Sequence, residues 1–309
     1  MKLSEGLPVG EGRDHQAMAP RTGPFPHREF LTAWHEELGQ EAQAWQASSD
    51  HGELLLMKLS DGTLELLGEG DLCDYHSPLG DLDVADFEIV GEALSAQSHH
   101  LSFDSLPAEA SEPMANGLAA AGFDPDVRQH QSALVLELPK TVDDFYANLG
   151  KKERHELRRK RRRYEESIGK VSLRTHEAGS TAGINEFVRL HRLSPGPKGQ
   201  FMNGDRERFF RRLAAQPGWR TDLLETPAGA SACLFGYSDA SGYYLYNSGF
   251  DPALAHGSPG LVVLTAMIEH TIEQGLGVFD FLKGDEDYKV RLGASPRPLF
   301  VIEARIDKS

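Results

Sequence analysis

Within the run VFDFLKGDEDYK, seven side chains that carry protons or charge fall inside ten residues, and Asp280, Asp285, Glu286, Tyr288 and Lys289 are the best local set among them. Such a set can move an acyl group onto an amine: a carboxylate takes the proton of the attacking amine or anchors it, a phenol donates a proton or orients the acceptor, and an ammonium neutralises an anionic substrate. Asp280 has the sharpest claim to a role. It sits in VFDFL, a short β run with Val278, Asp280 and Leu282 on one face and Phe279 and Phe281 on the other. An ionised group in so apolar a strand is costly to bury unless it is paired. Plainer readings stand beside this one. Asp285 and Glu286 also suit a turn leading into a helix over EDYKVRL, and Lys289 also suits a simple pair with Glu286.

Upstream lies AHGSPG. Gly257 and Gly260 let backbone approach a ligand closely, and Pro259 sits just ahead of an apolar helix over residues 261–274, where its missing N–H costs little. A helix starting there presents unpaired N–H groups and a positive dipole end, which suit a phosphate. Before this loop an aromatic-rich strand over residues 242–248 contains Tyr246 and Asn247. Strand, loop, helix, strand and polar loop in this order build a ligand site.

A different signal is KKERHELRRKRRR, with nine basic residues against two acids, a local charge of +7 that leaves the rest of the chain at −22. Leu149, Leu157, Tyr164 and Ile168 fall on one narrow stripe at 100° per residue, predicting a packed helix with an exposed basic fan. Lys151, Lys152, Arg154 and Arg158 in that fan are candidates for an anionic partner, while pairing with the acidic remainder of the chain is the alternative.

Other chemistries fall away. The formal charge of −15 over 309 residues argues against a surface built globally for nucleic acid or anionic lipid. No helix-turn-helix, zinc or homeodomain pattern accompanies the basic run, so DNA reading is not expected. Cys73 and Cys233 lie far apart in β-like apolar segments and read as core residues, with neither a disulfide framework nor a metal pair. The histidines lack metal-ligand spacing with Cys or acids, so no metal is expected. Neither a nucleophile elbow nor a Walker-type loop occurs. The first residues lack a signal-peptide run and no apolar stretch approaches a membrane span, which predicts a cytoplasmic protein.

The elements that must position these residues follow from periodicity. A chain of this length predicts two domains. Residues 1–24, rich in Gly, Pro and charge, read as a mobile tail. The first domain, 25–139, is expected to hold a helix from Phe25 through Leu38, a hairpin turning at Asp61-Gly62, helices over 83–95 and 112–121, and strands over 100–103 and 132–138. The second, 140–309, opens with a Thr141 N-cap and one long helix to about Ser167. Helices over 184–191 and 205–215 follow, with a loop over 194–204 between them. Strands over 220–225, 231–237 and 242–248 come next, and LFVIEARI makes a last strand.

The SGFDP, SPG and FDFLKGDEDYK blocks, in this order and spacing, resemble the C-terminal half of the FemAB/CelD-like branch of the GNAT acyltransferase superfamily. VDDFYANLGKKERHELRRKRRRYEE, FVRLHR with KGQF, and FPHREFLTAWHEEL with LLGEGDLCDYHSPLG extend the resemblance over most of the chain from Phe25. It implies an α/β fold of two GNAT-like domains in tandem, each a twisted mixed sheet flanked by helices. The implied activity is N-acyl transfer, with acyl-CoA (acetyl-CoA) as co-substrate and an amine of a sugar, peptide or cell-envelope precursor as acceptor. The strand bearing Tyr246 and Asn247 would part from the strand bearing Asp280 and hold the pantetheine arm, while amides of Gly257, Ser258, Gly260 and Leu261 would hold the pyrophosphate. HGSPG differs from the usual GNAT phosphate loop, which has Arg or Gln before a Gly-x-Gly/Ala pattern. His191, Arg192 and Lys198, with Glu286, would face the acceptor. Two alternatives accompany this expectation: a Fem-like ligase whose donor is aminoacyl-tRNA, held on the basic helix, and a non-catalytic scaffold binding an acidic partner there.

Overall fold

The computed structural model describes residues 2–7 and 15–306, and the chain divides into two compact units, residues 1–133 with 297–309, and residues 134–296. In chain order the first unit begins with β1 (Lys2–Glu5), α1 (Arg28–Glu37), β2 (Gln43–Ser48), β3 (Gly52–Lys58), β4 (Leu64–Leu66) and β5 (Leu79–Gly80). It continues through α2 (Val84–Ser95), β6 (His100–Pro107), α3 (Ala108–Ala120) and most of β7 (Asp124–Glu137). Its sheet runs β1-β2-β3-β4-β6, and the C-terminal strand β13 (Ser295–Arg305) pairs antiparallel with β6. The core is an apolar cluster of sheet and helix residues that includes Leu56, Phe87, Leu101, Phe103, Met114 and, from β13, Ile302 and Ala304.

Several differences from the sequence reading have local causes. Part of the stretch read as a mobile tail forms a strand, because Lys2–Glu5 adds to the edge of β2; the rest of that tail includes residues 1 and 8–14, which lie outside the described residues. Helix α3 begins a turn before residue 112. Pro113 lacks an N–H and so reads as a helix start, but it sits inside the helix. Strand β7 begins at Asp124, earlier than residue 132, across a polar stretch with no alternating apolar signal. Helix α1 starts at Arg28 rather than Phe25, β6 runs on to Pro107, and β2 and β5 are unread in the sequence, while Asp83 caps α2 in a reciprocal capping box with Asp86 and β3 and β4 form the expected hairpin around Asp61-Gly62. Both cysteines are buried and unbridged.

The second unit takes the last residues of β7 and then holds α4 (Val142–Asn148), α5 (Lys151–Ile168), β8 (Ser172–His176), α6 (Thr181–Arg192), α7 (Pro197–Phe201) and α8 (Gly204–Ala214). The meander β9 (Trp219–Thr226), β10 (Gly229–Ser238) and β11 (Gly242–Phe250) follows, then a 3-10 turn (Pro252–Gly257), α9 (Pro259–Glu273), β12 (Val278–Lys283) and α10 (Asp287–Arg291). Strand order is β7-β12-β11-β10-β9-β8. The single long helix expected after Thr141 is two helices: Leu149 and Gly150 are extended, with ψ of 149° and 147°. Thr141 does cap the first of them. The expected loop over 194–204 contains α7, and β8, unread in the sequence, forms the sheet edge.

Apolar α9 runs through the centre of this unit's core, with Val263, Met267 and Ile268 packed among Tyr243, Phe279, Phe281 and Tyr164. Beneath it a charged network is fully enclosed. Arg220 and Asp222, 5% and 0% exposed, pair at 2.8 Å, and Thr175 and Tyr243 donate to the same carboxylate at 2.7 and 3.1 Å. A buried ion pair persists when its remaining lone pairs are satisfied in this way. It ties β8, β9 and β11 together just before β11 reaches the candidate site.

Candidate active site

Strands β11 and β12 run parallel and are paired at Gly242–Val278, Tyr243–Phe279 and Tyr244–Asp280, and there the pairing stops. β11 continues to Phe250, paired with β10 alone, so its other edge from Leu245 onward offers backbone donors and acceptors to a ligand. Two local features drive the strands apart. The ladder between β10 and β11 slips between Phe235 and Gly236, leaving Tyr246 as an extra residue between Leu245 and Asn247, and such a bulge bends a strand. On the other side, Leu282 adopts φ +60°, a left-handed conformation unusual for a branched side chain.

Asp280 accounts for the second feature. It is 1% exposed, and its Oδ1 accepts a 2.7 Å bond from the Leu282 N–H, holding the chain through the turn that takes β12 out of the sheet. The burial expected from the sequence is real, and the carboxylate has a partner two residues along its own chain.

The loop beyond is fastened by Lys289. This side chain is 3% exposed, and its Nζ bonds the Lys283 carbonyl at 2.8 Å and Glu286 at 2.8 Å. Its charge is therefore directed into the 283–286 loop. Burial pushes the Glu286 carboxyl up, but the bond and charge of Lys289, a backbone hydrogen bond and the charge of Lys198 together hold the group below its ordinary value. Asp285 is exposed in the same loop. Tyr288 packs against the core with an edge contact to Phe281, and burial, then the charge of Glu286, pushes its phenol up to about 12, so it stays protonated at neutral pH.

On the anion side, Ser258 stands at the N-cap of α9 in the left-handed region, and its side chain makes no cap bond. The Pro259, Gly260 and Leu261 turn that follows is the helix start the sequence predicts. Gly257 lies flat on Tyr164 of α5, where an added Cβ would come within 2.3 Å of the ring. Gly260 has ordinary room, its nearest neighbour for an added Cβ being Phe250 at 3.6 Å. Tyr246 stacks on Phe210 at 5.4 Å, and Asn247 Oδ1 accepts from the Ser248 N–H at 2.8 Å.

Helix α6 delivers His191 to the same strand. Gly249 of β11 lies so near that an added Cβ would meet the His191 backbone nitrogen at 2.8 Å. The sequence reading passed over this glycine, whose signal is its place in the SGFDP block. His191 is 1% exposed between Phe187 and Phe201, with Nδ1 buried and unpartnered. Burial, reinforced by the charge of Lys198, pushes it down to about 4, so the ring is neutral at physiological pH. Lys198, on α7, stands at the surface, and the protein around its ammonium holds it below the usual lysine value. Arg192 turns away to Glu207 at 2.5 Å and the Met202 carbonyl at 3.1 Å.

The basic helix is partly self-compensated. Glu156 pairs with Arg159, Arg161 pairs with Glu269, and Arg162 approaches Glu166. Arg154 bonds the Tyr146 carbonyl at 3.3 Å, and Arg158 lies over the Tyr146 ring at 5.0 Å. Lys151, Lys152 and Arg163 are exposed, and no ion pair to them occurs among the described residues. Nor does any cluster of three or more His, Cys, Asp or Glu fit to hold a metal, and no helix there is long and apolar enough to cross a membrane.

Residues 151–290, which hold this helix start and parted strand pair, match the family model described as Acetyltransferase (GNAT) domain. The match covers a GNAT domain within the second unit, and the fold of the whole chain resembles that of FemX. FemX, at 12% identity, aligns over 91% of this chain and 93% of its own with a TM-score of 0.59. A conserved protein of unknown function from Bacteroides thetaiotaomicron VPI-5482 aligns over 92% of both chains at 12% identity and a TM-score of 0.64. No curated protein sequence matches this chain significantly.

Proposed function

We propose that the second unit transfers an acyl group from acyl-CoA to an amine of a sugar, peptide or cell-envelope precursor. The observation that carries this reading is the end of β11–β12 pairing at Tyr244 and Asp280, which leaves a polar backbone edge beside the N-terminus of α9. A pantetheine arm is an amide chain of strand-like reach and can add to that edge, while the first turn of α9, from Ser258 to Leu261 with Gly257 before it, suits a pyrophosphate.

In this reading Asp280 shapes the gap and Lys289 with Glu286 holds its far wall. Exposed Asp285 takes the proton of the attacking amine as nitrogen bonds the thioester carbonyl. The C–S bond then breaks, and the sulfur leaves as thiolate toward the neutral Tyr288 phenol, which gives it a hydrogen bond. The buried, neutral His191 backs the acceptor side behind β11, and Lys198 offers the acceptor a nearby positive charge.

Calorimetric titration with acetyl-CoA and desulfo-CoA tests the donor site. Micromolar saturable binding is expected, and Gly260→Asp should abolish it with the fold intact, because the site has room for a side chain but not for a second negative charge beside the phosphates. Absence of binding at low and moderate salt would sink the CoA reading. The second reading, an aminoacyl-tRNA donor, draws on exposed Lys151, Lys152 and Arg163. It predicts binding of charged tRNA that weakens steeply with salt and is lost in a Lys151→Glu/Lys152→Glu variant, a change that should leave acetyl-CoA binding untouched.

A further inference from the structure

The first unit contains a cavity of about 520 Å³, within the range of small-molecule sites. Its floor is one register row of the sheet: Met57 pairs with Glu65, Glu65 with Ser102, and Ser102 with Glu303. Paired residues share a face, and Asp104, two positions beyond Ser102, returns to it. Exposed Glu41 and Glu69 line the cavity as well, while on its floor three carboxylates meet, Glu65, Asp104 and Glu303.

Two of them are answered from within the protein. Glu303 accepts from Ser102 Oγ at 2.9 Å and pairs with His100 at 2.9 Å, and Asp104 pairs with buried His76 at 2.8 Å. Glu65 is half-buried and has neither hydrogen bond nor ion pair among the described residues. Burial, then the neighbouring Asp104, holds its carboxyl above the ordinary value, the mark of a charge lacking a cation. The opposite sign lines the same cavity on β7, where Arg128 is exposed and no ion pair to it occurs among the described residues. Trp34 forms another wall. It is 5% exposed, and its indole N–H is buried without an acceptor. Around one space, a half-buried acid and a base, each without a partner among the described residues, call for a ligand carrying both charges.

We propose that this cavity binds a small zwitterion, with a primary ammonium seated on Glu65 and Asp104 and a carboxylate held by Arg128, as in a free amino acid or a short peptide. The proposal is independent of acyl transfer, since binding is read without a thioester present.

The test is calorimetric titration of the full chain with L-lysine, L-alanyl-L-alanine, cadaverine and N-acetyl-L-alanine, the last two each lacking one charge type. A zwitterion should bind saturably and about tenfold or more tighter than either control, with the tighter of the two distinguishing an amino acid from a peptide. Glu65→Gln and Arg128→Ala should each weaken that binding about tenfold. The Gln variant should melt at or above the parent temperature, because it removes an unfavourable buried charge, so weakened binding cannot be ascribed to misfolding. No saturable zwitterion binding at millimolar concentration, or unchanged binding in Glu65→Gln, would overturn the proposal.

Discussion

At the residue scale, the site rests on side chains whose surroundings set their chemistry. His191 is a base depressed to about 4 from an ordinary 6.5. Between those values the unfolded chain binds a proton that the folded chain does not, so its contribution is present above pH 6.5 and is lost as pH falls toward 4. A drop of roughly 2–3 kcal/mol in unfolding free energy is expected across that window from this group, and urea denaturation of His191→Gln should show a flatter profile than the parent. Asp280 offers a second check. Replacing it with Ala leaves the Leu282 N–H without its 2.7 Å acceptor in a buried turn, which should cost about 1–3 kcal/mol and lower turnover together. Unchanged stability in Asp280→Ala would remove its part in shaping the gap. The sequence made Asp280 conspicuous through its apolar neighbours, yet could not show that its partner is two residues away. It also gave no sign that Lys289 is buried, since a lysine after Asp-Tyr reads as exposed until the loop it fastens is seen.

Elements decide how those residues meet. Three glycines that look alike in the sequence differ in consequence: Gly257 and Gly249 are each pressed against another element, whereas Gly260 is not. Gly249→Ala should force β11 away from α6, destabilise by about 1–3 kcal/mol and disturb the His191 side of the site, as measured by thermal melting and by acceptor KM. A Gly249→Ala protein with parent stability would mean that the α6–β11 contact yields freely. Most helices and strands of both units were legible, because caps such as Asp83 and Thr141 and apolar periodicity are local signals. The break at Leu149-Gly150 was not, since Gly150 costs a helix only about 1 kcal/mol and the charged run continues past it. The bulge at Tyr246 was equally hidden, as a slip in register belongs to two strands at once.

For the whole molecule, chain connectivity carries the main consequence. The first unit is completed by residues 297–309, and β13 supplies buried Leu299, Val301, Ile302 and Ala304, the last two in that unit's core. A chain ending at Pro296 would lose that burial, worth about 1.5–3 kcal/mol for each large side chain, and leave the β6 edge bare. It is expected to aggregate or to lose cooperative unfolding; a truncated chain that melts like the parent would contradict this assignment of β13. The sequence by itself determined the α/β class, the order of most elements, the helix start at Pro259 and the cluster from Asp280 to Lys289, because propensity, capping and periodicity act within a dozen residues. Tertiary structure alone decided where β11 and β12 part, which carboxylates find partners, that His191 is neutral, and that the last strand closes the first unit. Each of these is set by residues far apart in the chain and by the water they exclude when they meet, quantities that no local pattern encodes.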